Sequence, residues 1–228
     1  MSMLRFTRRG TVMAAAALAL AACGSSTDSP ESNSGSSGSD TDKVVLQDIV
    51  FGDPNAPVTL VEYASWTCPA CLVFHQRVLP SIKADYIDTG QVKLVFREFP
   101  TAPANVTVAG FALARCTEGE AYYDMLDELF VRQDAILTLA RQGGPVVEAL
   151  KQVASNHGIE GDDAFEACLE SEDNRDAIRA SIAAARGQGV DSTPTFFLDG
   201  ERMDGNARIS VQAFSAELDA ALAASAGE

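Results

Sequence analysis

Two short apolar segments with a single helical stretch between them limit this chain to few folds. Val58–Ala64 and residues 92–99 are both rich in β-branched and apolar residues, and each predicts a buried strand. The stretch between them has apolar residues near helical spacing up to Tyr86, and Gly90 ends it. Strand, helix and strand in this order predict a βαβ unit with two parallel strands.

A long helical segment interrupts the rest of the α/β pattern. Residues 105–187 carry helical patterns without a convincing strand, whereas residues 195–200 predict a strand that runs into a turn. The other predicted elements are a strand at 44–51, helices at 106–116, 121–133, 146–157, 162–169 and 174–186, and a C-terminal helix at 210–224. We therefore predict an α/β core over 43–104 and 188–228, with a helical domain inserted at 105–187.

The charge balance excludes one class of partner. The 228 residues carry a net charge of −15, and a chain of this charge repels phosphate backbones. Nucleic-acid binding is therefore not expected. A hydrophobic content of 46% is that of a globular protein.

The N-terminus predicts export and a lipid anchor. Residues 1–22 combine Arg8-Arg9 with an apolar run of about 11 residues, too short for a bilayer of about 30 Å and typical of a signal peptide. The sequence LAAC at 20–23 resembles a bacterial lipobox, in which Cys23 is lipidated and becomes the mature N-terminus. We favour this interpretation because a cysteine at the end of such a run is uncommon by chance. Ordinary cleavage at the small residues 19–21 is the alternative, and export by the Sec or the Tat route is left open.

The segment after Cys23 is predicted to be a flexible tether. Residues 24–42 contain no aliphatic or aromatic side chain, so nothing offsets the entropy of ordering them. A tether behind a lipidated cysteine would hold a folded domain clear of a membrane. We expect a membrane-anchored lipoprotein of the periplasm or cell envelope, with the tether at 23–42.

The candidate reactive site is Cys68-Pro69-Ala70-Cys71. A spacing of i and i+3 in the first helical turn brings two sulfurs within disulfide reach. The helix N-terminus stabilises a thiolate, which lowers the pKa of Cys68. We predict that Cys68 is the exposed attacking thiol and Cys71 the deeper resolving thiol. Metal knuckles share this spacing, but its place between a buried strand and a helix favours redox chemistry.

Two segments resemble the DsbA-like branch of the thioredoxin superfamily: residues 62–71, EYASWTCPAC, and residues 189–200, GVDSTPTFFLDG. Members of that branch are extracytoplasmic thiol–disulfide oxidoreductases with a helical domain inserted into a thioredoxin core. The resemblance implies a thioredoxin-like α/β fold and exported cysteine-containing polypeptides as substrates. It also leads us to expect a membrane redox partner, not yet identified, and no cofactor.

The resemblance assigns roles to three further residues. Thr193 and Pro194 would form the cis-proline loop that faces the active disulfide and pairs with a substrate strand. Glu62 would be the buried acid that assists proton transfer to the resolving cysteine. The alternative for Glu62 is a solvent-exposed glutamate at a strand end.

Cys116 and Cys168 remain after the anchor and the reactive pair are assigned. Two thiols in an oxidising compartment are more often paired than free, and some DsbA-like relatives carry a second disulfide in the inserted domain. We therefore predict a structural Cys116–Cys168 bond. Two buried apolar thiols are the alternative.

Three other residues bear on the mechanism. Ala70 stands where DsbA-type oxidants often carry a histidine, so the sequence states the direction of electron flow least clearly. An oxidant is favoured; the alternatives are a reductase or isomerase of the same fold, or a non-catalytic lipoprotein with an inert or copper-binding cysteine pair. His75 is expected on the helix surface rather than as a metal ligand, and Trp66 either in the core or lining a substrate groove.

Overall fold

The computed structural model describes residues 47–117, 119–203 and 210–227. Within these ranges the chain forms a five-stranded mixed sheet and nine α-helices. The strands are β1 (Ile49–Phe51), β2 (Val58–Ala64), β3 (Val92–Glu98), β4 (Thr195–Leu198) and β5 (Glu201–Arg202). The helices are α1 (Pro69–Arg77), α2 (Leu79–Ile82), α3 (Ala104–Ala114), α4 (Glu120–Val131), α5 (Gln133–Gln142), α6 (Val146–Asn156), α7 (Gly161–Glu170), α8 (Glu172–Gly187) and α9 (Val211–Ser225). The predicted signal peptide, the tether and Cys23 lie outside the described residues.

The sheet places β2 at its centre, in the order β1-β3-β2-β4-β5. β2 pairs in parallel with β3, with Val58 opposite Val92 and Ala64 opposite Glu98, as the βαβ interpretation requires. The other three pairings are antiparallel. Because β2 is covered on both edges and carries buried apolar residues along its length, its end is a rigid base for the loop that follows. The α/β prediction is confirmed.

The helical stretch after the reactive pair is broken, whereas the sequence predicted a continuous helix. α1 ends at Arg77 with Val78 as its C-cap, and α2 begins one residue later. Pro80 explains the break, because it lacks an N–H and is tolerated only in a first helical turn. α2 then continues into a π-helical turn at Lys83–Ile87.

Two described elements were missed by the sequence analysis. The predicted helix at 121–133 ends at Val131, and Gln133 starts the separate helix α5. The strand β5 has only two exposed residues, so it carries no alternating pattern to detect. The turn before β5 could be predicted, because Asp-Gly is a common sequence for a tight hairpin turn. Asp199 and Gly200 both have the positive φ that such a turn requires. The strand predicted from residue 44 is seen only at Ile49–Phe51 among the described residues.

Six consecutive helices, α3 to α8, occupy the chain between β3 and β4. They share one hydrophobic core with the sheet, to which β3 contributes Phe96, α3 contributes Phe111 and α4 contributes Phe130. A disulfide joins Cys116, just after α3, to Cys168 in α7, with Cα atoms 5.8 Å apart. The helices are therefore packed onto the sheet rather than merely tethered to it.

A close contact between the core and the inserted helices involves Trp66, in the loop after β2. Its indole is fully buried, and Nε1 donates a hydrogen bond to the Thr107 carbonyl at 2.9 Å. Gly110, one turn further along α3, lies directly against the ring. A Cβ atom at this position would be 2.5 Å from Nε1, a distance that no relaxed structure tolerates. Trp66 is thus part of the core.

We predict that Gly110→Ala destabilises the protein by about 1–3 kcal/mol, because one added methyl group forces the indole or α3 to move. Gly187→Ala is the matched control. It adds the same methyl group at a helical position with nothing within 4 Å, and a gain of up to about 1 kcal/mol is expected there. Denaturant unfolding of both variants measures the difference, and equal stability of the two would contradict this account.

Candidate active site

The turn from β2 into α1 carries the reactive pair. β2 ends at Ala64, Cys68 is the N-cap of α1, and Pro69 takes the first helical position, where a missing N–H costs nothing. The Cys68 amide donates to the Ser65 carbonyl at 3.0 Å, and the Leu72 amide donates to the Cys68 carbonyl at 3.1 Å. The sulfur of Cys68 therefore lies at a helix N-terminus, as predicted.

The two free thiols of this pair differ sharply in environment. Cys68 is half-buried, whereas Cys71 is fully buried. A hydrogen bond from the Cys71 thiol, helped by a Thr193 side-chain hydrogen bond and by the amides of Cys71 and Ala70, outweighs the burial of Cys68 and lowers its pKa to about 5. Burial raises the pKa of Cys71 well above its ordinary value, and the Cys68 and Glu62 charges add to the effect. One sulfur is thus a stable thiolate and the other a persistent thiol.

The loop before β4 lies against Cys68. The Thr193–Pro194 peptide bond is cis, and the Cys68 sulfur is 3.4 Å from the Thr193 carbonyl, to which its thiol form can donate. This loop is distant from Cys68 in the sequence. The sheet brings the two together, because β4, which follows the loop, pairs antiparallel with β2, which precedes Cys68. Thr193 and Pro194 therefore lie beside Cys68.

Gln133 holds the other side of the turn. This residue, 3% exposed, donates from Nε2 to the carbonyls of Trp66 at 2.7 Å and of Cys68 at 3.0 Å. The Cys68 carbonyl also accepts the Leu72 amide, so Gln133 gives it a second donor. A buried carbonyl such as that of Trp66 costs about 1–3 kcal/mol when it has no partner. Nothing in the sequence singled out Gln133, although the apolar spacing of Ile136 and Leu139 after it does indicate a further helix.

A cluster of hydroxyl groups fixes the residue before Cys68. The Thr67 hydroxyl is within hydrogen-bond distance of Ser65 (2.9 Å), Thr101 (2.8 Å) and Thr107 (2.7 Å). Thr107 also donates to the Thr101 carbonyl at 2.8 Å. Because Thr67 and Thr107 are buried, this network ties the active-site turn both to the loop after β3 and to α3.

The structure places Glu62 inside the protein and corrects the expectation for His75. Glu62 on β2 is completely buried, so the interpretation as a solvent-exposed glutamate is wrong. His75 is not on the helix surface. Its side chain is 3% exposed, with Nε2 3.5 Å from a Glu62 oxygen and Nδ1 3.7 Å from an Asp127 oxygen. The burial of His75 could have been predicted from its position four residues after the buried Cys71, because residues i and i+4 share a helix face.

The described residues contain no group of three or more histidine, cysteine or acidic side chains arranged to hold a metal ion. In the same part of the chain, none of the helices has the length and apolar character needed to cross a bilayer.

Comparisons with known proteins agree with this fold. The family model described as Thioredoxin matches residues 45–220. A Rickettsia conorii protein, named a putative protein-disulfide oxidoreductase, is 31% identical over 187 residues, which are 80% of this chain and 63% of that protein. The chain thus spans less than two thirds of this relative's length.

Solved structures give the same fold. The crystal structure of Wolbachia pipientis alpha-DsbA1 has a TM-score of 0.68 and 27% identity, covering 80% of this chain and 96% of that one. Oxidised BdbD from Bacillus subtilis has a TM-score of 0.61 at 20% identity, covering 77% and 92%, and supports the fold alone. The thioredoxin-like fold with inserted helices is confirmed.

We predict that the Cys68 thiolate of the reduced protein titrates near pH 5. Because the folded pKa is lower than the ordinary value, the thiolate stabilises the reduced protein fully above that ordinary value, and this stabilisation disappears as the pH falls through 5. The stability difference between the reduced and oxidised forms isolates the contribution from the other titrating groups. Thiolate absorbance checks the midpoint, with Cys68→Ala as the blank, and a midpoint near 9 would contradict the prediction.

Proposed function

This chain belongs to the thioredoxin family, and we propose that it is a DsbA-type thiol–disulfide oxidoreductase that exchanges disulfides with exported cysteine-containing polypeptides. Cys68 is the attacking sulfur and Cys71 the resolving sulfur. No cofactor is needed, because the disulfide itself accepts the two electrons that a substrate dithiol gives up. Thiol:disulfide oxidoreductase is the enzyme class that the proposal assigns.

The observation that carries the proposal is the asymmetry of the two thiols. An attacking thiol must be ionised and accessible, whereas a resolving thiol must keep its proton until a mixed disulfide has formed. Cys68 is half-buried with a pKa lowered to about 5, and Cys71 is buried with its pKa raised. An inert structural pair would have no need of this difference.

The same asymmetry favours an oxidant over a reductase. A stabilised Cys68 thiolate favours the reduced form of the protein. Its Cys68–Cys71 disulfide is therefore transferred to substrate thiols more readily. Ala70 supplies no charge to the thiolate, but the Cys71 thiol, Thr193 and the helix amides lower the Cys68 pKa without it. The alternative is a reductase or isomerase of the same fold.

Substrate would bind beside Cys68 along the loop at Thr193 and Pro194. The Thr193 carbonyl already lies 3.4 Å from the Cys68 sulfur, so a strand paired with this loop would place its own cysteine at the attacking position. An apolar groove lined by Pro103, Val147 and Leu150 among others lies on the side of the inserted helices. It offers a surface for apolar side chains of an unfolded substrate.

We further propose that the protein acts in the periplasm or cell envelope as a lipoprotein anchored through Cys23. The support is the LAAC sequence at the end of the apolar run and the apolar-free segment that follows it. An anchor would keep the enzyme near exported chains as they emerge. It would also keep it near a membrane protein that resets the Cys68–Cys71 disulfide.

Cys71→Ala should trap mixed disulfides with cysteine-containing polypeptides through Cys68, because the attack lost in this variant is the one that releases them. Cys68→Ala should trap nothing and should lose exchange activity altogether. Non-reducing electrophoresis followed by peptide mapping identifies the adducts. The matched control is Cys68→Ala/Cys71→Ala, which shows whether Cys116 or Cys168 captures anything.

Absence of any trapped species, together with a Cys68 pKa near its ordinary value, would favour an inert cysteine pair. Copper binding by the reduced protein, lost when Cys68 is replaced, would favour the metal-binding alternative. Equilibration with glutathione then sets the direction of electron flow. A reduction potential near that of strong oxidants (about −120 mV) supports the oxidant, and one near that of thioredoxin (about −270 mV) supports the reductase.

Cys23→Ser should abolish lipidation and release the protein from membranes, or block its processing. Acyl chains contribute about 0.8 kcal/mol per buried methylene, so an acylated cysteine holds a protein at a bilayer without a spanning helix. Membrane fractionation and mass spectrometry of the N-terminus provide the measurement. A wild-type protein that is wholly soluble, with an unmodified N-terminus, would eliminate the anchor.

A further inference from the structure

Three ionisable side chains form a line from the interior to the surface behind the reactive pair. Glu62 is completely buried, the His75 side chain is 3% exposed, and Asp127 on α4 is 66% exposed. His75 lies between the two carboxylates, at 3.5 Å from Glu62 and 3.7 Å from Asp127. Both distances are within ion-pair range, and a shift of a few tenths of an ångström brings each within hydrogen-bond range.

This arrangement is costly for the fold. Among the described residues, the two Glu62 oxygens and the two His75 ring nitrogens have no hydrogen-bond partner. The imidazole lies against Phe130, with ring centroids 4.1 Å apart, and a further aromatic ring, Phe96, faces it edge-on. Apolar replacements of both buried groups would stabilise such a site. A buried acid and a buried imidazole next to a redox pair therefore call for a functional explanation.

The charges around His75 keep a proton on it. Burial alone would lower the pKa of His75, but Glu62 on β2 and Asp127 on α4 outweigh burial and raise it to about 9. Other ionisable groups on the packed elements are either uncharged or already paired. Cys71 on α1 and Tyr123 on α4 both have pKa values raised well above the ordinary ones. Glu98 on β3 is paired with Arg115 at 2.5 Å.

We propose that His75 is a positioning residue that joins Glu62 to Asp127, so that the proton exchanged with Cys71 travels between this buried thiol and solvent along the three side chains. The proposal rests on the disulfide-exchange function proposed above and extends it. Because Cys71 is buried, its thiol cannot exchange a proton with water directly, and the three side chains would provide the route.

The route balances in both directions. When a substrate thiolate attacks Cys68, the Cys68–Cys71 bond breaks, a substrate–Cys68 disulfide forms, and the electron pair of the broken bond leaves on Cys71. Glu62 then passes a proton from the His75 imidazolium to that sulfur, and His75 regains one from solvent by way of Asp127. In the resolving attack, the Cys71 proton moves outward through the same groups as its sulfur bonds to Cys68.

The test follows the two steps of exchange separately. Reduced protein is mixed rapidly with glutathione disulfide and quenched in acid, and mass spectrometry follows the Cys68–glutathione adduct. Formation of the adduct needs only the Cys68 thiolate, whereas its decay needs the proton of Cys71 to leave. His75→Gln keeps a polar side chain that cannot carry a proton. We expect its adduct to form at the wild-type rate and to decay roughly a hundredfold more slowly near pH 7.

The pH profile separates proton transfer from a structural role. Because hydroxide can remove the Cys71 proton directly, the slow decay of the His75→Gln adduct should recover towards the wild-type rate as the pH rises. Asp127→Asn, at an exposed position that does not threaten folding, should slow the decay in the same way. Its matched control is Asp124→Asn, the same change at an exposed position three residues earlier on α4. His157→Gln, in a partly buried pair with Glu128, is the control for His75→Gln.

Each outcome decides between the two proposals. Wild-type protein that forms no adduct contradicts the proposed function, whereas wild-type exchange with unchanged adduct decay in His75→Gln and Asp127→Asn overturns the relay alone. If His75→Gln does not fold, Asp127→Asn and the imidazole signals decide. The chain has only two histidines, so both are readily assigned by NMR. Glu62→Gln should lower the pKa of His75, and an unmoved His75 titration would also overturn the relay.

Discussion

The thiolate at Cys68 is stable only while the thiol of Cys71, buried behind it, keeps its proton. The hydrogen bond between the two sulfurs is the largest contribution to the low Cys68 pKa, and burial is the largest contribution to the high Cys71 pKa. Each effect supports the other, because an ionised neighbour makes it harder still to ionise Cys71. The site therefore requires that the second cysteine be excluded from water, and much of the surrounding structure serves that exclusion.

The inserted helices also hold the active-site turn in place. Gln133 from α5 binds the carbonyls of Trp66 and Cys68, and α3 receives the Trp66 indole against Gly110. The Thr107 carbonyl, also on α3, accepts the indole hydrogen bond. A thioredoxin-like sheet alone would leave these groups at its surface. The insertion is thus part of the active-site turn rather than a separate module beside it.

The sequence predicted those parts of the molecule that depend on local pattern. The strand Val58–Ala64 was predicted with its observed bounds. The start of α1 after Cys68 was also predicted, because proline suits the first helical position. What it did not predict depends on contacts between distant segments. The burial of His75 depends on its packing against Glu62 of β2, Phe96 of β3 and Phe130 of α4. Gln133 looks like any polar residue near a helix end until α5 is seen to lie over the active-site turn.

Ala70 left the direction of electron flow open in the sequence, because DsbA-type oxidants often carry a thiolate-stabilising histidine at this position. In the structure, several donors stabilise the thiolate together, namely the Cys71 thiol, the Thr193 side chain and the amides of Ala70 and Cys71. Amides of a helix N-terminus are supplied by the backbone whatever the side chain, so this part of the stabilisation does not depend on the residue at position 70. The buried histidine of this chain lies behind Cys71 instead, beside the acid. A histidine there has no contact with the attacking sulfur, so it bears on how fast the resolving thiol exchanges its proton and not on how acidic Cys68 is.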